Sequence, residues 1–151
     1  MSGRINAGLI GAGRIGRLHA EQLALRIPEA NLVAMSDIIL TVAQKCGAES
    51  GISAAAHDHR VMMQNPIIEA VIVCSSTETP SQMIEPADGV GRHISCEKPI
   101  DFEQARIDRA LAAVERVGAK LQIGLDRRCD PTFGASGSSS AGWCGAAGPR
   151  T

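Results

Sequence analysis

Three glycines near the start of the chain have the spacing of a nucleotide-binding turn. Gly11, Gly13 and Gly16 follow the short apolar segment Arg4–Ile10 and precede a segment with helical spacing of apolar residues. In such a turn the first glycine permits the tight bend, the second lets the backbone approach a pyrophosphate, and the third allows close helix packing. The helix N-terminus adds free N–H groups and a partial positive charge. A glycine turn without a ligand is the alternative.

Asp37 is the second candidate, because it stands 21 residues beyond Gly16, at the end of a second predicted strand. A carboxylate at that point accepts hydrogen bonds from adenosine ribose hydroxyls and repels a 2′-phosphate. No arginine occurs in the four residues that follow it, Ile38 to Thr41. The sequence therefore favours NAD over NADP, with a solvated loop acid as the alternative interpretation of Asp37.

Two further groups of polar residues follow later strands. A lysine at a strand end, Lys98 in Glu97-Lys98-Pro99, could hydrogen-bond a substrate hydroxyl and a cofactor ribose and so stabilise developing negative charge. Small hydroxyl residues after the fourth predicted strand could bond a ribose or diphosphate, although ordinary turns use the same residue types. They are Ser75, Ser76, Thr77 and Thr79. Arg127 could meet an anionic or carboxamide group, or simply be an exposed arginine.

Histidines and cysteines do not predict a metal site. His57 and His59 are two residues apart on what we predict to be a helix, where they would not share a face. The five cysteines are widely spaced without a Cys-x-x-Cys pair, so we expect reduced thiols that are mostly buried. We expect His19 and His93 to be structural rather than catalytic.

The elements that must position these residues alternate between strands and helices. Six strands are predicted: 4–10, 31–36, 52–54, 69–74, 93–96 and 119–125. Four helices are predicted. The first follows the glycine turn and reaches Arg26, the second covers 39–46 with Gly47 as its C-terminal cap, the third follows the third strand and reaches Gln64, and the fourth covers 102–117. Parallel neighbours need crossover connections that helices supply, so the pattern predicts an α/β fold with a doubly wound parallel sheet of Rossmann type. Ligands of such sheets bind outside the carboxyl ends of the strands, where the candidate residues lie.

Composition sets limits on the class of protein. The 151 residues are 44% hydrophobic and 21% charged with a formal net charge of -1, which predicts a globular domain rather than a disordered or membrane chain. With 2% aromatic residues the chain lacks stacking platforms for bases, so we expect no nucleic-acid partner. No run of about 18 apolar residues and no signal-peptide pattern occurs, so we expect no membrane partner and a cytoplasmic location.

Four segments together carry a family resemblance. GAGRIGRLHAEQLA, AVIVCSSTETP, HISCEKPID and LQIGLDRRCDPTF resemble the Gfo/Idh/MocA oxidoreductases, and within them the inositol 2-dehydrogenases, over residues 4–133. The resemblance implies NAD-dependent transfer of a hydride from a ring hydroxyl of myo-inositol or a related sugar to the nicotinamide. Proline and glycine in the crossover at 83–93, where the family has an alanine-rich helix, predict a shortened or irregular helix there.

The resemblance also implies roles for individual residues. Lys98 would be the active-site lysine, shared by cofactor and substrate, and Asp37 would hold the ribose. The implied cofactor contacts are Gly11, Ala12, Gly13, Arg14, Ile15, Gly16, Ser75, Ser76, Thr77, Thr79, Glu97 and Arg127. Members of the family form homo-oligomers, with a small-molecule polyol or sugar as substrate.

The predicted domain organisation divides the chain at residue 133. Residues 1–133 are predicted to form an NAD-binding Rossmann domain, whereas 134–151 are rich in Gly, Ala and Ser and are typical of a flexible or frameshifted tail. Family members continue into a second α/β domain that completes the active site, which we expect to be missing here. The chain is thus predicted to be the truncated cofactor-binding half of a dehydrogenase, with a catalytically incompetent dinucleotide-binding module as the alternative.

Overall fold

Six strands form one sheet in which every observed strand pairing is parallel. The computed structural model describes residues 3–75, 80–84 and 91–124. The strands are β1 (Ile5–Ile10), β2 (Ala30–Ser36), β3 (Ala55–Ala56), β4 (Ala70–Val73), β5 (His93–Glu97) and β6 (Leu121–Gly124). The helices are α1 (Arg14–Leu25), α2 (Leu40–Glu49), α3 (Arg60–Gln64), α4 (Pro80–Ile84) and α5 (Gln104–Arg116).

The strand order is β3-β2-β1-β4-β5-β6, which confirms the doubly wound α/β prediction. The chain runs outward from β1 to β3, returns to β4 beside β1, and continues outward to β6. The order in which strands are added to the sheet therefore reverses between β1 and β4. Sheets of this class bind ligands at that point. In register, Ile10 lies opposite both Ser36 of β2 and Val73 of β4, so three carboxyl ends meet at one edge.

Aliphatic side chains cover both faces of the sheet. On one face Leu9 and Met35, both fully buried, pack with the small residues Ala20 of α1 and Ala43 of α2. The other face carries a larger cluster that includes the fully buried Val71. Burial on both faces explains why β4 is a continuous apolar run without polar alternation. The helices are thereby fixed against the strands whose ends carry the candidate site.

The end of α2 differs from the prediction, because Gly47 does not cap this helix. The helix continues through Gly47 to Glu49, and the glycine with positive φ is Gly51, at +75°. A Cβ added to Gly47 would lie 2.6 Å from the carbonyl oxygen of Ile52. This glycine therefore allows close approach of the next segment, whose Ile52 N–H donates to the Gly47 carbonyl at 2.7 Å.

The segment after α2 also differs from the prediction. The third strand lies at Ala55–Ala56 rather than at 52–54, where it pairs with the last two residues of β2. Helix α3 begins only at Arg60, so His57 and His59 precede it. Asp58 explains this start, because its carboxylate accepts from the backbone N–H of Arg60 at 2.9 Å and so favours a turn before the helix.

The segment that carries Lys98 is fixed at its far end by Asp101. This buried carboxylate accepts from the backbone N–H groups of Phe102 and Glu103, just before α5, and from the hydroxyl of Ser81 in α4. The crossover before β5 forms helix α4 over five residues, while residues 85–90, which include Pro86 and Gly89, lie outside the described part. Within the described residues, no helix is both long enough and apolar enough to cross a membrane.

Candidate functional site

The turn between β1 and α1 has the geometry that its glycines predict. Gly11 adopts φ of +91°, and a Cβ there would lie 2.8 Å from the backbone carbonyl atoms of Cys74. A Cβ on Gly16 would lie 1.8 Å from the carbonyl oxygen of Gly11, so only glycine lets α1 start directly over the turn. Both positions therefore need glycine for the fold itself, with or without a ligand.

Gly13 is different, because its missing side chain leaves open space. It is the N-cap of α1 and gives that helix no side-chain cap. Its φ of −67° and ψ of −167° suit any residue, and a Cβ there would meet nothing within 4 Å. The fold does not need glycine here. A phosphate bound against the N–H groups of the first helical turn would need it, because a side chain at this position would block its approach. This open cradle fits the diphosphate of a dinucleotide.

Asp37 is held against the glycine turn. Its Oδ2 accepts from the backbone N–H of Ala12 at 2.8 Å, and its Oδ1 accepts from that of Ile39 at 2.9 Å. These bonds fix the carboxylate orientation, and each oxygen keeps further acceptor capacity for a ligand hydroxyl. Asp37 thus joins the end of β2 to the diphosphate cradle, where the sequence predicts it.

A cleft of about 330 Å³ opens at this edge of the sheet. Gly11, Gly13, Asp37 and Ser75 are among its lining residues, so it brings together candidates from three strand ends. Sequence reasoning missed its apolar wall. The residues that form this wall are Ile38, Ile39, Val42 and Met83. The available signal was the pair Ile38-Ile39 directly after Asp37, since these two side chains are 66% and 56% exposed and so do not serve the core.

His57 and His59 also line the cleft, which corrects the prediction that they would not share a face. The prediction was wrong because the helix starts after them. Arg60 binds the Asp58 carboxylate between them at 3.0 Å, and its hydrogen bonds hold the pKa of Asp58 below the usual value. In the described ranges, no three His, Cys, Asp or Glu residues are grouped closely enough to hold a metal ion.

Lys98 follows directly after β5, where its side chain is exposed. It is not among the residues that line the cleft. The Lys98–Pro99 peptide bond is cis. From Asp37 at the end of β2, the sheet edge crosses β1 and β4 to reach β5, which is three strand spacings of about 4.8 Å, or about 14 Å. A dinucleotide extended along the edge can span both residues.

Several of the predicted cofactor contacts, among them Glu97, Arg14 and Ile15, are not among the residues that line the cleft. Glu97 directs its carboxylate to His19, whose Nε2 lies 2.8 Å from Oε1, and it is not among the cleft-lining residues. Arg14 and Ile15 form the first turn of α1. Ser76, Thr77, Thr79 and Arg127 lie outside the described residues, as does the tail at 134–151.

The cysteines at this edge do not have the properties of nucleophiles. Burial raises the pKa of the Cys74 thiol to about 12, with further contributions from the negative charge of Glu97 and from the neighbouring Cys96 thiol. Burial and Glu97 likewise raise the pKa of Cys96 to about 11. Because the thiolate is the reactive form, both thiols are inert near neutral pH. Cys74 lines the cleft as a small apolar surface.

We expect Cys74 to be alkylated by iodoacetamide at pH 8 at least about a hundredfold more slowly than free cysteine, since a thiol with its raised pKa holds very little thiolate. The rate should still rise about tenfold per pH unit up to pH 10. Peptide-resolved mass spectrometry after timed quenching measures it, with the urea-unfolded protein as control. Equal rates in the folded and unfolded protein would contradict the account.

The sequence matches a known family over most of its length. The model of the Gfo/Idh/MocA oxidoreductases, described as an oxidoreductase family with an NAD-binding Rossmann fold, matches residues 5–125. The chain belongs to this family. Its described residues accordingly form an NAD-binding Rossmann domain, with the glycine turn and Asp37 at the positions that this fold uses.

Named relatives and solved structures agree with this assignment. The chain is 40% identical to the uncharacterized oxidoreductase YrbE of Bacillus subtilis over 133 residues, 88% of this chain and 39% of that protein. It is 35% identical to a myo-inositol 2-dehydrogenase of Thermotoga maritima over 126 residues, 83% of this chain and 37% of that protein. A scyllo-inositol dehydrogenase of Lactobacillus casei, solved with NAD(H) and scyllo-inositol, superposes with a TM-score of 0.83 and 29% identity, covering 89% of this chain and 40% of that one.

The matched relatives are much longer than this chain. It spans between 37% and 39% of the length of the first three curated proteins, all of them oxidoreductases by name. Their substrates and reactions belong to whole proteins of which this family domain is one part.

Proposed function

We propose that this domain binds NAD along the carboxyl edge of its sheet for the oxidation of a ring hydroxyl of myo-inositol, scyllo-inositol or a related polyol. The observation that carries the proposal is the Asp37 carboxylate held by the Ala12 N–H at 2.8 Å, beside the open cradle at Gly13. Inositol dehydrogenases among the relatives and solved structures support the substrate class. Residues 1–133 would form the NAD-binding unit and 134–151 a separate segment.

Three groups on the chain would divide the work of holding the cofactor. The N–H groups at the start of α1 would bind the diphosphate, and Gly13 would let it approach the backbone. Asp37 would accept hydrogen bonds from the adenosine ribose hydroxyls. Ile38 and Ile39 would cover the adenine, which would remove two exposed isoleucine side chains from water.

Lys98 would act at the other end of the edge. Its Nζ would hydrogen-bond the substrate hydroxyl and the second ribose, which orients the carbinol carbon and stabilises negative charge that develops on its oxygen. NAD, when bound, would supply the acceptor for the hydride that leaves that carbon. The hydroxyl proton would pass to solvent water, while Lys98 Nζ stabilises the oxygen that it leaves. Ser75, at the end of β4, lies between the two ends of the site.

Absorbance of NADH formed from NAD with myo-inositol or scyllo-inositol tests the proposal. Turnover by the purified protein, with a loss of at least about a hundredfold in rate in Lys98→Ala, would support the catalytic part of the proposal, since a positioned acid–base group typically contributes a factor of this size. Lys45→Ala, which removes an exposed lysine from α2, is the matched control and should keep the rate.

NAD binding without turnover would favour the alternative function, a catalytically incompetent dinucleotide-binding module. If calorimetry detects NAD binding but neither inositol yields NADH, the chain acts as a dinucleotide-binding module and the catalytic part of the proposal is wrong. Absence of NAD binding would overturn the proposal as a whole.

A further inference from the structure

A histidine on the diphosphate helix bonds to the residue that precedes the active-site lysine. His19 lies in the middle of α1, and its Nε2 is 2.8 Å from Oε1 of Glu97, the last residue of β5. The two side chains are 40% and 26% exposed. This bond links α1 to the carboxyl end of β5, between residues that are 78 positions apart in sequence.

Glu97 is confined from a second side by β6. Gly124 pairs with Glu97 in the sheet, and a Cβ added to Gly124 would lie 3.0 Å from Glu97 Oε1. The absence of a side chain at Gly124 thus provides the space that the carboxylate occupies. With His19 on one side and the β6 backbone on the other, the end of β5 has little freedom to shift.

The location of this pair is more informative than its strength. Side-chain pairs exposed to this extent contribute little to the free energy of unfolding. This one joins α1, whose start forms the diphosphate cradle, to the residue next to Lys98. A catalytic group must be held within a fraction of an ångström of its productive position, and neighbouring hydrogen bonds supply that restraint.

We propose that His19 is a positioning residue, which holds the Glu97 carboxylate and thereby places Lys98 relative to a dinucleotide bound at the start of α1. The inference rests on the proposed function, in which Lys98 meets the second ribose of NAD. Loss of the bond should weaken contacts to that ribose and leave the adenosine end of the site unchanged.

Calorimetric dissociation constants for NAD and ADP test this, because ADP lacks the second ribose. In the full chain, His19→Leu should weaken NAD binding by about three- to tenfold and leave ADP binding unchanged. His19→Gln, whose amide nitrogen can donate to Glu97 from a similar position, should restore NAD affinity. Gly124→Ala, which crowds the same carboxylate, should resemble His19→Leu. Glu21→Ala, at an exposed position of the same helix, is the control.

A double-variant cycle with Lys98→Ala separates positioning from a general structural role. If His19 acts through Lys98, His19→Leu should cause no further loss of NAD affinity once Lys98 is alanine. An equal loss for NAD and ADP, failure of glutamine to rescue, or an additive loss in the Lys98→Ala background would each overturn the inference. Wild-type NAD affinity in Lys98→Ala would instead overturn the proposed role of Lys98, and the inference with it.

Discussion

Gly13→Ala is expected to lower the affinity for NAD by roughly ten- to a hundredfold while leaving the free energy of unfolding within about 0.5 kcal/mol of the unaltered protein. The methyl group would meet no protein atom within 4 Å, and the backbone angles at Gly13 suit alanine. It would instead occupy the space through which a diphosphate approaches the helix N-terminus. Calorimetry with NAD and urea unfolding followed by circular dichroism measure the two quantities.

Gly16→Ala is the control for that result, because it should lower the free energy of unfolding strongly. Its methyl group would lie 1.8 Å from the carbonyl oxygen of Gly11, so the helix or the turn must move. We expect a loss of about 3 kcal/mol or more in the free energy of unfolding, at the upper end of overpacking costs. If Gly13→Ala proved as destabilising as Gly16→Ala, or bound NAD normally, the open cradle would not be a ligand site.

Asp37→Asn is expected to reduce the preference for NAD over NADP. In the proposed site the Asp37 carboxylate would lie close to the 2′-phosphate of NADP, and like charges placed together cost several kcal/mol, so we expect a preference on the order of a hundredfold. Asparagine removes the charge and keeps one acceptor oxygen, which can bond the backbone N–H of Ala12 or that of Ile39 but not both as the carboxylate does. We expect the preference to fall below about tenfold.

Dissociation constants for both cofactors at one ionic strength provide this measurement. Asp108→Asn changes the net charge by the same amount, but at an exposed position of α5 away from the cleft. It should leave the preference unaltered. Equal affinity of the unaltered protein for NAD and NADP would contradict the role of Asp37.

The sheet and the glycine turn were predictable because local sequence determines them. The β-branched run in β4 indicates a strand buried on both faces, and the glycine spacing meets steric demands that the structure shows at Gly11 and Gly16. Asp37 followed from its distance along the chain. These features depend on neighbours in sequence, which periodicity and residue type describe well.

The remaining differences arise from contacts between distant segments. Gly47 has the residue type of a helix cap, yet it lies within α2 because the Ile52 segment packs against it. The two-residue strand β3 is defined by pairing with β2 rather than by its own alanines. The bond between His19 and Glu97 likewise depends on the placement of α1 over the sheet, which no local pattern specifies.

The most direct test of the account is a titration of the ¹⁵N-labelled protein with NAD, followed by amide chemical-shift changes. We predict the largest changes at Ala12, Gly13, Arg14 and Ile39, which surround the cradle and the Asp37 carboxylate, and smaller changes along the edge up to Lys98. Changes confined to the outer groove between α1 and α2, around Arg17 and Glu49, or no changes at all, would contradict a dinucleotide site at the carboxyl edge of this sheet.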